Sequence, residues 1–160
     1  MLSITYLKLR KSGFKKPNLT TVVKDPEIIL TLYLESLNFP LNEPEILWNR
    51  RMTTHIMKGF RGVFFHVEKL SKEKGIKFRI IVESSEGITS FLKSMKYREV
   101  KQLDTVPENF QLIDIKICIK PLFERDNEQI SQILWSNSTL FVSEKQNQFE
   151  DHWKIARPHY

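Results

Sequence analysis

The sequence has few cysteines and no long apolar run, and each shortage excludes a class of protein. A single cysteine, Cys118, cannot form an internal disulfide, so we expect a reducing compartment and a cytoplasmic protein. The apolar runs are only a few residues long, far short of the ~18 that a membrane helix needs. The amino terminus also lacks the continuous apolar region of a signal peptide. We therefore expect no membrane insertion.

Glycine and proline are also scarce, at five and seven of 160 residues, which argues against low-complexity and collagen-like architectures. Hydrophobic residues make up 41% and charged residues 28% of the chain, an ordinary globular composition. A chain of this length can bury a core without disulfides or structural metal. We predict a basic extension over residues 1–20 and a single domain over residues 21–160.

The net charge of +6 lies almost entirely near the amino terminus. Residues 1–24 contain six Lys and Arg and no acidic residue, whereas residues 25–160 hold 19 basic and 19 acidic residues. A neutral body argues against nucleic acid as the expected partner. The alternative function is nucleic-acid association through the basic arm, with affinity that falls steeply with salt and disappears when residues 1–20 are removed.

Hydrophobic periodicity predicts alternating helices and strands. The pattern Asp25-Pro26-Glu27 starts a helix over 25–38. A long amphipathic helix over 53–74 ends at Gly75, and a shorter one covers 86–97. A last helix begins within 136–139 and ends before Pro158. Strands are predicted at 45–48, 76–82, 98–103, 110–113, 115–119 and 129–135, with the last two forming an antiparallel pair. This alternation indicates an α/β fold with a mixed sheet and helices on both faces.

Gly59-Phe60-Arg61-Gly62 has a spacing that permits two interpretations. The apolar phase continues through both glycines, and glycine within a helix costs about 1 kcal/mol relative to alanine. We favour close packing of the helix on a neighbour as the reason for both glycines. The alternative is an exposed loop between two helices that binds an RNA backbone, as in KH modules.

Several segments match a known pattern in order and spacing. They are GIKFRIIVE at 75–83, VKQLD at 100–104, the strand from Gln129 to Leu134 followed by Ser136-Asn137, and Phe149-Glu150 with Trp153. The helix start at 24–27 also fits. Together these segments resemble the input domain of archaeal sensor proteins, which commonly precedes a histidine-kinase module. That domain is similar to a degenerate phospholipase D fold, which also forms the effector-binding half of sugar-responsive archaeal regulators.

The resemblance implies a catalytic pattern from which this chain departs. Enzymes with the phospholipase D fold carry H-x-K-x4-D followed by G-S-x-N. Lys116 matches the lysine and Ser136-Asn137 resemble the second element, but Asp114 replaces the histidine and Pro121 the aspartate. Phosphodiester cleavage on that fold needs imidazole as nucleophile and general acid. None of the four histidines lies in a complete H-x-K-x4-D sequence, so we expect no enzymatic activity.

The position of several polar residues at strand ends, together with the resemblance, predicts one ligand-binding site. Arginine pairs at strand ends can hold carboxylate or phosphate, and helix starts favour anions. The predicted ligand-binding residues are Arg50, Arg51, Glu83, Ser84, Lys116, Ser136 and Asn137. Plain structural alternatives remain: a solvated turn for the arginines and helix capping for Ser136 and Asn137.

The resulting functional prediction is a non-catalytic sensory domain of an archaeal signal-transduction protein. It would recognise a small molecule or a signalling protein and couple recognition to a kinase or regulator. The signal would pass through the terminal helices or through formation of a homodimer. We expect no cofactor, and no His, Cys, Asp or Glu set has metal-ligand spacing.

Overall fold

The computed structural model describes residues 19–29, 31–32, 43–59, 61–88, 98–114, 116–124 and 130–158. Side chains at 61, 63, 64, 66, 67, 70 and 98 fall outside this description. Most of the predicted basic extension and the greater part of the predicted helices over 25–38 and 86–97 lie outside the described residues. The start of the first of these helices is confirmed: residues 26–29 and 31–32 are helical, and Asp25 Oδ1 accepts the Glu27 and Ile28 N–H groups at 2.9 and 3.3 Å.

Eight strands and three further helices follow the predicted alternation. The strands are β1 (Thr20–Val23), β2 (Glu45–Trp48), β3 (Phe78–Glu83), β4 (Arg98–Leu103), β5 (Phe110–Ile113), β6 (Ile117–Phe123), β7 (Ile130–Ser136) and β8 (Arg157–Pro158). The helices are α1 (Arg50–Gly59), α2 (Arg61–Lys74) and α3 (Thr139–Ile155). β1 and β8 were not predicted, because most of their side chains are not buried and they lack the largely apolar run that marks the four-residue strands β2 and β5.

All eight strands form one mixed sheet in the order β1-β7-β6-β5-β2-β3-β4-β8. β2, β3 and β4 run parallel, while β5, β6 and β7 form an antiparallel meander beside β2. The predicted antiparallel pair is β6 and β7. The terminal strands β1 and β8 each add antiparallel to an outer strand. The mixed α/β sheet predicted from the sequence is therefore confirmed.

Helices cover both faces of the sheet, and each face has its own apolar core. The first core joins the segment 26–32 and α1 to the sheet, with Ile28, Met52, Ile56, Phe78 and Ile80 among its members. The second core packs Val142 and Phe149 of α3 on the other side, against residues such as Leu47, Ile81, Phe110 and Leu112. Among the described residues, no helix combines the length and apolar character needed to cross a bilayer.

Two helices, not one, occupy the region of the predicted helix over 53–74. Asn49 Oδ1 accepts the Met52 N–H at 2.9 Å and starts α1 earlier than predicted, directly after β2. α1 ends at Gly59 and α2 begins at Arg61. Among the described residues, no atom lies within 4 Å of where a Cβ at Gly59 or Gly62 would be, and both residues are exposed. The described part of the chain therefore does not supply the close packing that was predicted for these glycines.

Candidate functional site

Four of the seven predicted ligand-binding residues lie where β2, β3 and β4 end, here called the carboxyl edge of the sheet. They are Arg50, Arg51, Glu83 and Ser84. The Arg50 N–H donates to Glu83 Oε2 at 3.2 Å, and the Arg50 guanidinium donates to the Ser84 carbonyl oxygen at 3.2 Å. The Glu83 carboxylate thus occupies the positive end of α1, the position at which a helix start would hold an anion.

The two arginines diverge from each other across the carboxyl edge. Arg50 turns toward the end of β3, whereas the Arg51 guanidinium donates to the Glu124 carbonyl oxygen at 2.7 Å, beyond β6. Arg51 also lies 4.9 Å from the centre of the Phe123 ring. Because these targets are on opposite sides of β2 in the sheet, the pair does not form a bidentate clamp for one anion.

The other three predicted residues lie at the opposite edge, where β2 and β3 begin, here called the amino edge. Lys116 is exposed in the turn between β5 and β6, and its N–H donates to the Ile113 carbonyl oxygen at 3.0 Å. Asp114, in the same turn, has a left-handed φ of 53°, which aspartate tolerates better than most residues. Cys118 pairs in register with Ser136, so this turn is next to the end of β7.

Ser136 and Asn137 join β1 to β7. The fully buried Ser136 hydroxyl lies 2.7 Å from Thr20 Oγ1 and accepts the Ser138 N–H at 3.1 Å. Asn137 Oδ1 accepts the Leu19 N–H at 2.8 Å, and the Asn137 N–H donates to the Leu19 carbonyl oxygen at 3.0 Å. Both residues therefore hold the edge strand in place. The N-cap of α3 is Ser138, not either of these residues.

The seven predicted residues consequently do not form a single ligand-binding site. The rule that ligands bind at the carboxyl ends of strands holds for parallel strands. In the antiparallel meander, β6 begins and β7 ends at the amino edge. Lys116, Ser136 and Asn137 are therefore separated from Arg50, Arg51, Glu83 and Ser84 by the length of the strands. Ligand binding at either edge stays a prediction.

Replacing Ser136 with alanine is expected to lower the free energy of unfolding by about 1–3 kcal/mol, because the Thr20 hydroxyl and the Ser138 N–H lose a buried partner. Urea denaturation measures this loss. Ser138→Ala is the matched control, since the Ser138 side chain makes no capping hydrogen bond and its removal should change stability by less than about 0.5 kcal/mol. Equal losses in the two variants would contradict this role of Ser136.

The loop before β5 contacts both helical layers through adjacent residues. Asn109 is buried, and its Oδ1 accepts the N–H of Asn49, the residue that caps α1, at 2.7 Å. Glu108 accepts hydrogen bonds from Lys120 Nζ at 2.6 Å and from Lys145 Nζ at 2.8 Å. Burial opposes ionisation of Glu108, but the hydrogen bonds from the two lysines outweigh it and lower the pKa of the Glu108 carboxyl.

A second charged cluster holds α3 to the amino ends of β2 and β3. The Arg79 guanidinium donates to Glu45 on β2 and to Glu150 on α3, and it lies over the rings of Phe149 and Trp153 at 5.2 and 5.3 Å. Burial raises the pKa of Glu45 to about 7 despite the attraction of Arg79. The hydrogen bond from Arg79 lowers the pKa of Glu150. The carboxyl groups of Glu45 and Glu150 therefore share Arg79 as a counter-charge in a site that is partly shielded from water.

A cleft of about 500 Å³ opens beside the carboxyl edge. Thr53, Thr54 and Met57 of α1 line one side, and Ser85, Glu86 and Ile88 after β3 line the other. The lining also includes Lys58, so hydroxyl groups, one carboxylate, one ammonium group and apolar side chains border the same space. This mixture of apolar surface with a few polar groups is the usual lining of a small-molecule site.

No protein-family model matches this chain, and no curated protein matches it by sequence. Solved structures do match. NucT from Helicobacter pylori aligns with a TM-score of 0.66 and 11% identity, over 88% of this chain and 99% of that one. Nuc from Salmonella typhimurium, a phospholipase D family member, gives 0.62 and 12%, over 88% and 97%. The chain has a phospholipase D-like fold.

A third neighbour with the same phospholipase D-like fold is TrmBL2, an archaeal chromatin protein whose structure shows a novel mode of DNA binding. It aligns with a TM-score of 0.64 and 15% identity over 92% of this chain. This chain spans about half of that protein's length, 55%. At these identities the three likenesses establish the fold alone. The phospholipase D-like architecture implied by the sequence resemblance is therefore confirmed.

Sequence reasoning missed two sets of residues. Glu45 and Arg79 hold α3 to the sheet, and Glu108 and Asn109 contact both helical layers. Glu45 and Arg79 gave a usable signal, because each is a charged residue inside an otherwise apolar strand, and such residues are buried only when paired. Asn109 and Glu108 gave none, since a polar loop residue is usually exposed. Their contacts depend on how the loop passes from one face of the sheet to the other.

Proposed function

We propose that this chain is a non-catalytic sensory domain on a phospholipase D-like scaffold, in which recognition at the carboxyl edge changes how α3 is held. The observation that carries the proposal is the loop before β5, where Asn109 binds the start of α1 and Glu108 binds α3. A small molecule or a signalling protein is the recognised partner. We propose that the chain serves as the input domain of an archaeal histidine kinase, as the sequence resemblance implies.

Recognition is proposed to take place in the cleft between α1 and the turn after β3. Thr54 offers a hydroxyl and Met57 offers apolar contact on the α1 side. A ligand that fills the cleft would press on α1, whose first turn is fixed by Glu83 and Asn109. The start of α1 is thus the element that the ligand would displace or tighten.

Transmission to α3 is proposed to run through two adjacent residues. Asn109 accepts the N–H of Asn49, and its neighbour Glu108 accepts hydrogen bonds from Lys145. Lys145 is buried and lies 5.5 and 5.7 Å from the centres of the Phe141 and Phe110 rings, so its ammonium depends on the Glu108 carboxylate for charge balance. A shift of the loop would therefore alter the packing of α3.

The absence of catalysis is part of the same proposal. Asp114 is an acid at the place of the nucleophilic imidazole, and a carboxylate repels the phosphate it would have to attack. The Ser136 hydroxyl is occupied by Thr20 and by the Ser138 N–H. Both features support a scaffold that binds and does not cleave.

A metabolite screen by thermal shift tests recognition. A ligand present at 100 times its Kd should stabilise the native chain by about 2.7 kcal/mol. Thr54→Trp, which narrows the cleft, should abolish the shift, whereas Asn147→Ala on the exposed side of α3 should not. A ligand whose thermal shift survives Thr54→Trp would contradict recognition at the cleft.

Transmission is tested by hydrogen exchange of α3 with and without the ligand found. The ligand should change exchange over residues 139–155 in the wild-type chain. In Asn109→Ala it should still bind, with a much smaller change in α3, because the hydrogen bond to Asn49 is lost. Equal changes in α3 in both proteins would contradict the role of this loop.

Nucleic-acid association through the basic arm is the second candidate, favoured by the six Lys and Arg within residues 1–24 and by the likeness to a chromatin protein. Replacing the five basic residues within 1–20 with glutamine in the full chain should then abolish DNA binding and its steep salt dependence. Binding that persists in this variant would contradict the basic arm as the binding site.

A further inference from the structure

Two exposed glycines lie where α1 ends and α2 begins. Gly59 ends α1, and Gly62 lies in the first turn of α2. Both are exposed, and no neighbouring atom lies within 4 Å of where a Cβ would be. Glycine in a helix is unfavourable relative to alanine, and here no packing constraint within the described residues requires it. An external group that approaches the backbone closely would explain both glycines.

An exposed aromatic ring follows Gly62 on the same side of α2. Gly62, Phe65, Lys69 and Lys72 are all exposed and recur at helical spacing; they are here called the α2 patch. The patch is about 15 Å long, from the rise of an α-helix. Phe65 is 74% exposed, and Gly62 has no side chain to cover the adjacent turn. The Phe65 ring is therefore accessible to a planar group of a ligand.

The charge of this helical layer differs from that of the opposite face. Residues 50–77 contain eight Lys and Arg against two Glu, whereas residues 139–155 contain two Lys against three acidic residues. One of those two lysines, Lys145, is buried and paired with Glu108. In the α2 patch, Lys69 forms an exposed pair with Glu73 at 4.0 Å, a weak interaction that a phosphate can replace. Residues 50–77 are thus strongly basic, although the body as a whole is neutral.

We propose that the α2 patch, together with the exposed backbone at Gly59 and at Gly62, binds single-stranded nucleic acid. Lys69 and Lys72 would neutralise phosphates, Phe65 would stack on a base, and the glycines would let the sugar-phosphate backbone approach. Stacking needs an unpaired base, which favours a single strand over a duplex. A single exposed ring among cations offers little apolar area to a lipid surface. This activity goes beyond the sensory role and uses residues outside the basic arm.

Fluorescence anisotropy of the full chain with a labelled 12-nucleotide oligouridine tests the proposal. Phe65→Ala should weaken binding by about 5-fold to 100-fold, the usual effect of losing one base stack. Lys69→Gln with Lys72→Gln should reduce the slope of log affinity against log salt by about 1 to 1.5. The matched controls on the opposite face, Leu140→Ala and Lys154→Gln, should bind like the wild-type chain.

The Gly62→Ala variant tests the effect on binding without a loss of folding stability. No atom obstructs the added methyl group, and alanine favours a helix, so the melting temperature should rise or stay the same while oligouridine affinity falls. Phe65→Ala and Gly62→Ala variants that bind like the wild-type chain would overturn the proposal. So would equal competition by inorganic polyphosphate or by duplex RNA. Loss of binding only when the five basic residues of 1–20 are replaced would assign it to the basic arm and also overturn this site.

Discussion

Replacing Arg79 with methionine is expected to lower the free energy of unfolding by about 3–5 kcal/mol at pH 8. Arg79 is the cation between Glu45, which is 1% exposed, and Glu150. Methionine retains much of the side-chain volume but leaves the Glu45 carboxylate buried without a counter-charge. Contacts of the guanidinium with the rings of Phe149 and Trp153 are lost as well. Urea denaturation at pH 8 measures the effect.

Two further variants identify the cause of that loss. Lys77→Met, which removes an exposed cation near the start of β3, should change stability by less than about 0.5 kcal/mol. Glu45→Met combined with Arg79→Met should be more stable than Arg79→Met alone, because no buried carboxylate then lacks a partner. An Arg79→Met loss below about 1 kcal/mol would show that the buried pair does not hold α3 to the sheet.

Stability should fall as the pH rises from about 4.5 to about 7, and Glu45 should be the main cause. Burial raises the pKa of Glu45 from 4.5 to about 7, so the native chain binds a proton that the unfolded chain releases within this window. The stabilising contribution is complete below pH 4.5 and is lost as the pH passes 7, a change on the order of 3 kcal/mol. The groups that face Glu45 are Arg79, Glu150, Gln146 and Glu43.

Glu45→Gln is the control for this pH dependence. Glutamine retains the hydrogen-bonding shape without a titrating proton, so unfolding free energies measured in urea between pH 5 and 8 should vary much less in this variant. Glu108 and Glu150 have lowered pKa values, and their contributions are lost only as the pH falls below about 4.5. The same slope in wild type and Glu45→Gln would contradict the assignment to Glu45.

The fold could be predicted largely because its signals are local. The alternating and continuous apolar runs at β2, β3 and β5 to β7 reflect strands with buried faces. Asp25 and the polar run before α3 marked two helix starts correctly. The break at Gly59 was missed, because the apolar period of α1 continues in phase into α2 and gives no sign of a boundary.

The candidate site could be predicted only in part, because it depends on strand direction. Arg50, Glu83 and Ser84 follow parallel strands and do come together. Lys116 and Ser136 both lie at the opposite edge, where Cys118 pairs in register with Ser136. The antiparallel pairing of β6 with β7 was predicted, but that of β5 with β2 is set by long-range contacts that a single sequence does not show. The hydrogen bond between Asn49 and Asn109 joins residues 60 positions apart, and it could not be predicted from the sequence for the same reason.

Phosphodiester turnover tests most directly whether this phospholipase D-like chain binds without cleaving. Purified wild-type chain, Lys116→Met and Ser136→Ala should be incubated with bis(p-nitrophenyl) phosphate and with single-stranded DNA. We predict no release of product above buffer in any of the three. Release by the wild-type chain that falls in Lys116→Met would place a working phosphodiesterase at the amino edge and contradict the account.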